Sequence, residues 1–307
     1  MEKKEFIKYI FSLDASRGLS SQGLFWLAIL VPFIYFLVLG GIVWQDYTLC
    51  LDAKGFQTFT SISALPLGVL SLMIPLSVSV ARFHTSKQTA KQIAIVSQKN
   101  NIDLFHSHRK ELFSYFTQVG ETKYSDTLKG KNHVHPRLHK NFFIGKPESG
   151  APIPNSKTFE QVGRDINSLL YLLQGVVKNI NKERSYDFYI ANFCPATYSI
   201  AMTLGLIEIL TAFKATSLET IPSSDGVKYT TVGKSTEDAF VSARYILDFY
   251  KNLCDFAGFQ NGMDFIDKEY ISFLESNKYK NIQPKVIEEI IGVMELDKKQ
   301  GQKKTQE

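Results

Sequence analysis

The pattern of apolar positions begins with a long run that has no charge. From Leu24 to Trp44 the chain has 21 residues without an ionisable acid or base. A helix needs about 20 apolar residues to cross the hydrocarbon core of a bilayer. Trp26 lies near the start of the run and Trp44 at its end, and interfacial tryptophans are typical of membrane helices. The run therefore predicts a membrane span.

A second run, from Phe56 to Ala81, has 26 uncharged residues but is less apolar, with two prolines and five serines. In a helical projection, small residues recur every three or four positions and share one face. This small-residue stripe consists of Ala64, Gly68, Ser71, Pro75 and Ser79. Such a stripe lets helix backbones approach closely in lipid. It predicts a second span with a packing seam, against the first span or against another copy of the chain; a water-lined pathway is the alternative.

The charges around the two runs predict their orientation. The loop between them, from Gln45 to Gly55, has 11 residues and one cation, Lys54. More cations lie outside the pair: Lys3, Lys4, Lys8 and Arg17 before it, and Arg82, Lys87, Lys91 and Lys99 after it. The positive-inside rule then places both termini in the cytoplasm. We expect Arg82, Lys87 and Lys91 to contact anionic lipid headgroups, at about 1 kcal/mol each, or a nucleoprotein partner.

The rest of the chain predicts a mostly α fold: two N-terminal transmembrane helices followed by a predominantly helical cytosolic domain. The expected divisions are a cytosolic segment (1–23), a transmembrane hairpin (24–81), a juxtamembrane helix (82–119), an irregular basic loop (120–156), a helical domain (157–296) and a disordered tail (297–307). The loop is predicted from its prolines and glycines.

Helical periodicity returns after residue 157. One apolar stripe comprises Val162, Ile166, Leu169, Leu170, Leu173 and Val177. Further helices are expected at 196–214, 236–256, 264–276 and 285–296, with a short hairpin around 224–226. The uncharged run from Phe188 to Ile207 contains many polar side chains, which favours a buried helix over a third span.

Composition limits the possible classes of protein. The hydrophobic content is 44% and the mean hydropathy is −0.08, so the chain is no multi-span transporter. Between Arg82 and Lys146 there are 12 Lys and Arg against 4 Asp and Glu, which suggests an anionic partner or a solvated surface. The three cysteines match no zinc-binding spacing and indicate a reducing compartment.

The segment HVHPRLH holds three of the six histidines. Neighbouring cations favour phosphate or nucleic-acid contact over a metal, and a plain exposed loop is the alternative. The candidate contact residues are His133, His135, Arg137 and His139. No nucleotide-binding glycine loop or nucleophile elbow occurs in the sequence. We therefore predict no catalytic residue, metal or cofactor.

Two stretches carry a family resemblance. ARFHTSKQTAKQI, followed by NNIDLFHSHRKELFSYF, resembles the two-span effector membrane proteins of retron anti-phage defence and related abortive-infection membrane proteins. In those proteins two spans lead into a segment like RFHxSxQTxxQI and then a run like NN…H…EF; here Leu112 separates Glu111 from Phe113. The match covers Leu65 to Phe116, and ILDFYKNLCDFAGF is similar more loosely.

This resemblance implies an effector that makes the inner membrane permeable during phage infection. It also implies a reverse transcriptase and its RNA–DNA product as the partners that keep the effector inactive. The small-residue stripe adds a homo-oligomer in the bilayer as an expectation. Two other functions stay open on the residues alone: a membrane-tethered enzyme such as a nuclease, and a passive anchor that recruits a defence complex.

Overall fold

The computed structural model describes residues 12–180, 184–214, 216–220, 229–276, 281–282 and 285–304. The three N-terminal lysines of the topology argument and the expected turn at 224–226 lie outside these ranges. The chain divides into two compact units, Met1–Asn100 and Asn101–Glu307. The described part is mostly helical, as expected.

Helices are the only regular elements in the described part of the first unit, and one of them continues into the second unit. The elements are a single 3₁₀ turn at Leu19–Ser21, α1 (Gly23–Trp44), α2 (Ala53–Ile62), α3 (Ala64–Ser71) and α4 (Met73–Val119). Helix α4 begins in the first unit and ends in the second. Its end at Val119 is the predicted end of the juxtamembrane helix.

The second apolar run is helical, with two short breaks. The run is interrupted at Ser63 and again at Leu72. Proline has no amide hydrogen and cannot bond the carbonyl four residues before it. Pro66 therefore leaves the Ile62 carbonyl without its helical partner, and Pro75 does the same to Ser71. Helices α2 and α3 end at these two residues.

The second unit starts with short elements where an irregular loop was predicted. Two antiparallel strand pairs form, β1 (Thr122–Lys123) with β2 (Lys129–Gly130) and β3 (Phe143–Ile144) with β4 (Ile153–Pro154). A 3₁₀ turn lies at Pro147–Ser149, and helix α5 spans Pro136–Phe142. The prediction missed α5, whose first residue is a proline with a dihedral angle already suited to a helix start.

The remaining elements build the helical domain. They are α6 (Ser156–Val177), α7 (Ser185–Asp187), a π-helical segment (Phe188–Phe193), α8 (Cys194–Leu204), α9 (Ile207–Phe213), β5 (Glu219–Thr220) paired antiparallel with β6 (Tyr229–Thr230), α10 (Thr236–Ala257), a 3₁₀ segment (Gln260–Phe265), α11 (Lys268–Glu275) and α12 (Val286–Lys304).

The core of this unit lies between α6, α10 and the segment from the π helix through α8. All six residues of the predicted α6 stripe are buried, which confirms it. Helix α10 matches its predicted bounds within one residue, and a reciprocal capping box between Ser235 and Asp238 starts it. The buried Tyr250 hydroxyl donates to the Phe159 carbonyl, 2.8 Å away, and so joins α10 to α6.

Three sequence expectations differ from the fold at helix ends. The helix expected at 264–276 begins only at Lys268, because the Asp267 side chain caps it there by accepting from the Glu269 N–H. The helix expected at 196–214 is split because Gly205 adopts φ 77°, the left-handed conformation that ends a helix. The disordered tail expected from Asp297 is helical through Lys304, since lysine and glutamine favour helix and only one glycine interrupts them. The run from Phe188 to Ile207 packs most of its apolar residues in the core of the second unit, whereas Met202 and Ile207 are exposed.

Candidate functional site

The first unit contains a pair of helices that run in opposite directions and are joined at both ends by polar contacts. At one end the Trp44 indole N–H donates to the Ser63 hydroxyl, 2.9 Å away. At the other end Gln22 Nε2 and His84 Nε2 both donate to the Asp14 carbonyl, over 3.0 and 3.2 Å. Gln22, Ser63 and His84 are all buried. These contacts fix the register of α1 against α3 and the start of α4.

Between the two ends, each helix presents one face to the other. On α1, buried or half-buried positions recur at spacings of three and four residues: Gln22, Phe25, Ile29, Pro32, Phe36, Leu39 and Val43. The facing set has the same spacing: Ser63, Pro66, Leu70, Met73, Ser77, Val80 and His84. This alternation is typical of helices that pack along their length.

Outside this shared face, the pair is apolar and exposed. Both helices are long and apolar enough to cross a membrane, and only 11% of each apolar window is buried within the chain. Exposed residues include Ile34, Val38 and Ile42 on α1 and Leu72, Ile74 and Val78 on the other side. Soluble proteins rarely expose apolar surface on this scale. The helix pair therefore suggests association with a membrane.

The small-residue stripe does not lie in the face shared with α1. Ala64, Gly68, Ser71, Pro75 and Ser79 are all exposed. A Cβ atom added at Gly68 would meet nothing within 4 Å. The expected seam against the first span is therefore not formed, and a seam against another copy stays a prediction. By contrast Gly40 is buried, and an added Cβ would meet the Trp44 ring at 2.5 Å.

The serine hydroxyls of the stripe are bonded within their own helices. Ser71 Oγ donates to the Gly68 carbonyl and Ser79 Oγ to the Pro75 carbonyl, each over 2.7 Å. A hydroxyl bonded to its own helix can lie in apolar surroundings without an unmet donor. The stripe is therefore compatible with close helix packing and does not require water.

The segment before α1 is attached to α4 through His84. The His84 Nε2 atom lies 2.9 Å from the Arg17 carbonyl and 3.2 Å from the Asp14 carbonyl, so Nε2 carries the proton and donates. The Gln22 side chain accepts from the Asp14 N–H and donates to the Asp14 carbonyl, both at 3.0 Å. Lys87 Nζ lies 3.4 Å from the Leu13 carbonyl. These contacts give the histidine of the RFHTS sequence a structural role.

Among the other predicted contact residues, Arg82 and Lys91 are exposed on α4. The predicted histidine segment does not converge on one point. His133 and Arg137 are exposed, whereas His135 is half-buried and its Nδ1 accepts from the Arg137 N–H at the start of α5. His139 is buried, and its ring stacks on that of Phe143.

The structure pairs His139 with a histidine that the sequence did not connect to it. His108 Nδ1 lies 3.2 Å from His139 Nε2, and both rings pack against Phe143. Burial, with smaller contributions from His108 and Arg109, lowers the pKa of His139 to about 4. Burial also lowers the pKa of His108, partly offset by Glu111. The pair is therefore neutral at pH 7, with one ring donating to the other.

The described residues bring together no group of three or more His, Cys, Asp and Glu that could hold a metal ion. Cys194 and Cys254 are buried, and burial raises the pKa of each thiol to about 12, which keeps both protonated. Cys50, in the loop between the apolar helices, is exposed.

Comparisons with known proteins identify no relative. No family model matches the chain, and neither a curated protein nor a solved structure matches it.

Proposed function

We propose that the chain is a two-pass membrane effector of a bacterial anti-phage system of the retron, abortive-infection type. In this proposal α1 and the α3–α4 segment cross the inner membrane with both termini in the cytoplasm. When the effector is released from inhibition by a reverse transcriptase and its RNA–DNA product, it permeabilises or depolarises that membrane. It acts on the bilayer directly, with no catalytic step.

The observation that carries the proposal is the division of the helix pair into a packed face and an apolar exposed face. One face of each helix holds the hairpin together. The exposed face contacts lipid, and the small-residue stripe on it is available to another copy of the chain. Copies that associate through the stripe would bring several hairpins together, which is a route to a leak.

The inhibitory partners are proposed from the resemblance of the juxtamembrane sequence and from surface charge. Arg82, Lys91, His133 and Arg137 are exposed and can contact anionic headgroups or a nucleoprotein. Contact with lipid and contact with a nucleoprotein can be distinguished by experiment, because only the second requires another gene product.

The first experiment expresses the chain alone and then with its neighbouring genes, while a dye reports membrane potential. Depolarisation by the chain alone, suppressed by the neighbours, is the expected result. The variant Gly68→Leu with Ser71→Leu should prevent assembly and relieve toxicity. Gly41→Leu is a matched control, because an added Cβ at Gly41 also meets nothing within 4 Å but lies off the stripe. Undiminished toxicity of the double variant at normal expression would contradict the seam.

Labelling of Cys50 can test the proposed topology. Cys50 is exposed, whereas Cys194 and Cys254 are buried. A maleimide that cannot cross the inner membrane should therefore label intact, outer-membrane-permeabilised cells at Cys50, and Cys50→Ser should abolish the signal. Labelling only after the inner membrane is disrupted would contradict the orientation.

Two outcomes would favour the other functions. Growth arrest with an intact membrane potential points to a tethered enzyme, which alanine at His133, His135 and His139 would then inactivate if these residues take part. Full function after replacement of residues 24–81 by an unrelated two-span anchor points to a passive anchor.

A further inference from the structure

A cavity of about 360 Å³ lies in the second unit beside the histidine pair. Helix α4 contributes Phe105 and Arg109, α5 contributes His139 and Lys140, and β3 with the residue after it contributes Phe143 and Gly145. The volume is within the range of small-molecule sites. The residues come from two segments that are distant in sequence, α4 and the continuous α5–β3 segment, so the fold assembles the cavity.

The charged side chains that line this cavity are both positive. Arg109 and Lys140 line it, no acidic residue does, and no ion pair within the described ranges joins either cation to a carboxylate. The Arg109 guanidinium instead lies over the Phe113 ring, 5.9 Å from its centroid. A guanidinium and an ammonium at one cavity favour phosphate, which accepts paired bonds from arginine and a point charge from lysine.

The lining of the cavity also has an aromatic part, which is held in place. Phe105 is half-buried, with its ring centroid 5.4 Å from that of His139. The neighbouring Gly145 leaves little spare room, because an added Cβ would lie 3.1 Å from Pro152 and 3.8 Å from Phe105. The Asn101 side-chain amide donates to the Glu148 carbonyl, 2.8 Å away, and anchors the following turn to α4. An aromatic ring beside two cations suits a planar base that carries a phosphate.

We propose that this cavity binds a nucleoside phosphate, with Arg109 and Lys140 on the phosphate and Phe105 against the base. The ligand is either a free mononucleotide or the phosphorylated end of a strand, since both present the same group. Neither the membrane spans nor an effector role is needed for this site, so its test is independent of the proposed function.

The experiment uses the full chain in detergent micelles and equilibrium dialysis with two labelled probes. The probes are adenosine monophosphate and a 5′-phosphorylated oligonucleotide, and inorganic phosphate is the competitor. Arg109→Ala and Lys140→Ala should each raise the Kd for the bound probe at least tenfold. Lys110→Ala, an exposed lysine beside Arg109 that does not line the cavity, should change it less than twofold.

Phe105→Leu separates the base from the phosphate. It should weaken nucleotide binding while leaving the inhibition constant of inorganic phosphate unchanged. Saturable binding of either probe with this variant pattern supports the site and identifies the source of the ligand. Binding of neither probe at millimolar concentration, or equal binding by wild type and both alanine variants with unchanged melting temperatures, would overturn the proposal.

Discussion

The two units use the same apolar residue types in opposite ways. Ile34 on α1 is 55% exposed, whereas Ile246 on α10 is fully buried. The second unit buries most of its apolar side chains in one core, while the apolar helices of the first unit leave many of theirs exposed. The difference suggests that the helix pair of the first unit associates with a membrane.

The largest expected effect comes from removing a core ring in the second unit. Phe249 is fully buried and stacks on Phe116 with centroids 4.6 Å apart. Phe249→Ala should cost about 3–5 kcal/mol of unfolding free energy, because the lost contacts leave a cavity. Phe33→Ala on the exposed face of α1 should cost less than about 1 kcal/mol in micelles. Urea unfolding of both variants measures the two losses in unfolding free energy. Equal losses would contradict the difference between the buried and the exposed ring.

The next effect tests whether an exposed isoleucine lies in lipid or in water. Ile34 and Ile93 are similarly exposed, at 55% and 64%, but only Ile34 lies in a proposed span. Ile34→Arg should cost about 3 kcal/mol of insertion free energy, because arginine is disfavoured inside a bilayer. Ile93→Arg should be neutral within about 0.5 kcal/mol. Alkaline extraction of membranes should release the first variant and retain the second; equal retention would contradict a span at α1.

A third effect is the pH dependence of the second unit. The pKa of His139 is about 4 in the fold and near 6.5 in an unfolded chain, so the unfolded state binds more protons between these values. The stability contributed by neutral His139 is complete above pH 6.5 and is lost as the pH falls toward 4.

Between pH 7.5 and pH 5 this loss amounts to about 2 kcal/mol. His139→Phe keeps a ring at this position and removes the titration. The difference in unfolding free energy between variant and wild type should shift by that amount in favour of the variant as the pH falls. Parallel pH profiles would show that His139 is not held neutral by the fold.

The smallest effect concerns the contacts of His84 in the first unit. His84→Ala removes the donor to the Arg17 and Asp14 carbonyls, which can then turn to water, so the cost is about 1 kcal/mol. Trypsin should cleave after Arg17 several times faster in this variant. Phe83→Ala, at the exposed neighbouring position, should leave the rate unchanged. An unaltered rate in His84→Ala would mean that the attachment does not restrain this segment.

Local periodicity was sufficient to predict the long helices. The bounds of α1 and α10 and the end of α4 follow from runs and stripes that each lie within one segment. The breaks at Ser63 and Leu72 were also accessible, since Pro66 and Pro75 each lie four residues after a helix end.

Contacts between distant residues could not be predicted in this way. His108 and His139 are 31 positions apart, and no pattern in either segment points to the other. In the sequence, the neighbouring cations Arg109 and Lys140 cannot be distinguished from other surface charges. Only the packing of α5 beside α4 brings them to one cavity. Likewise the stripe from Ala64 to Ser79 was visible in sequence, but its exposure depends on which face α1 covers.

The hydrogen bonds of Ser71 and Ser79 to their own helix bear on the order of events in the cell. A hairpin whose hydroxyls need no outside acceptor can enter a bilayer as a single chain. In the proposed effector, association through the stripe is then a separate step governed by mass action. Membrane damage by such an effector should rise more steeply than in proportion to the copy number, so that a cell tolerates low expression and fails above a threshold.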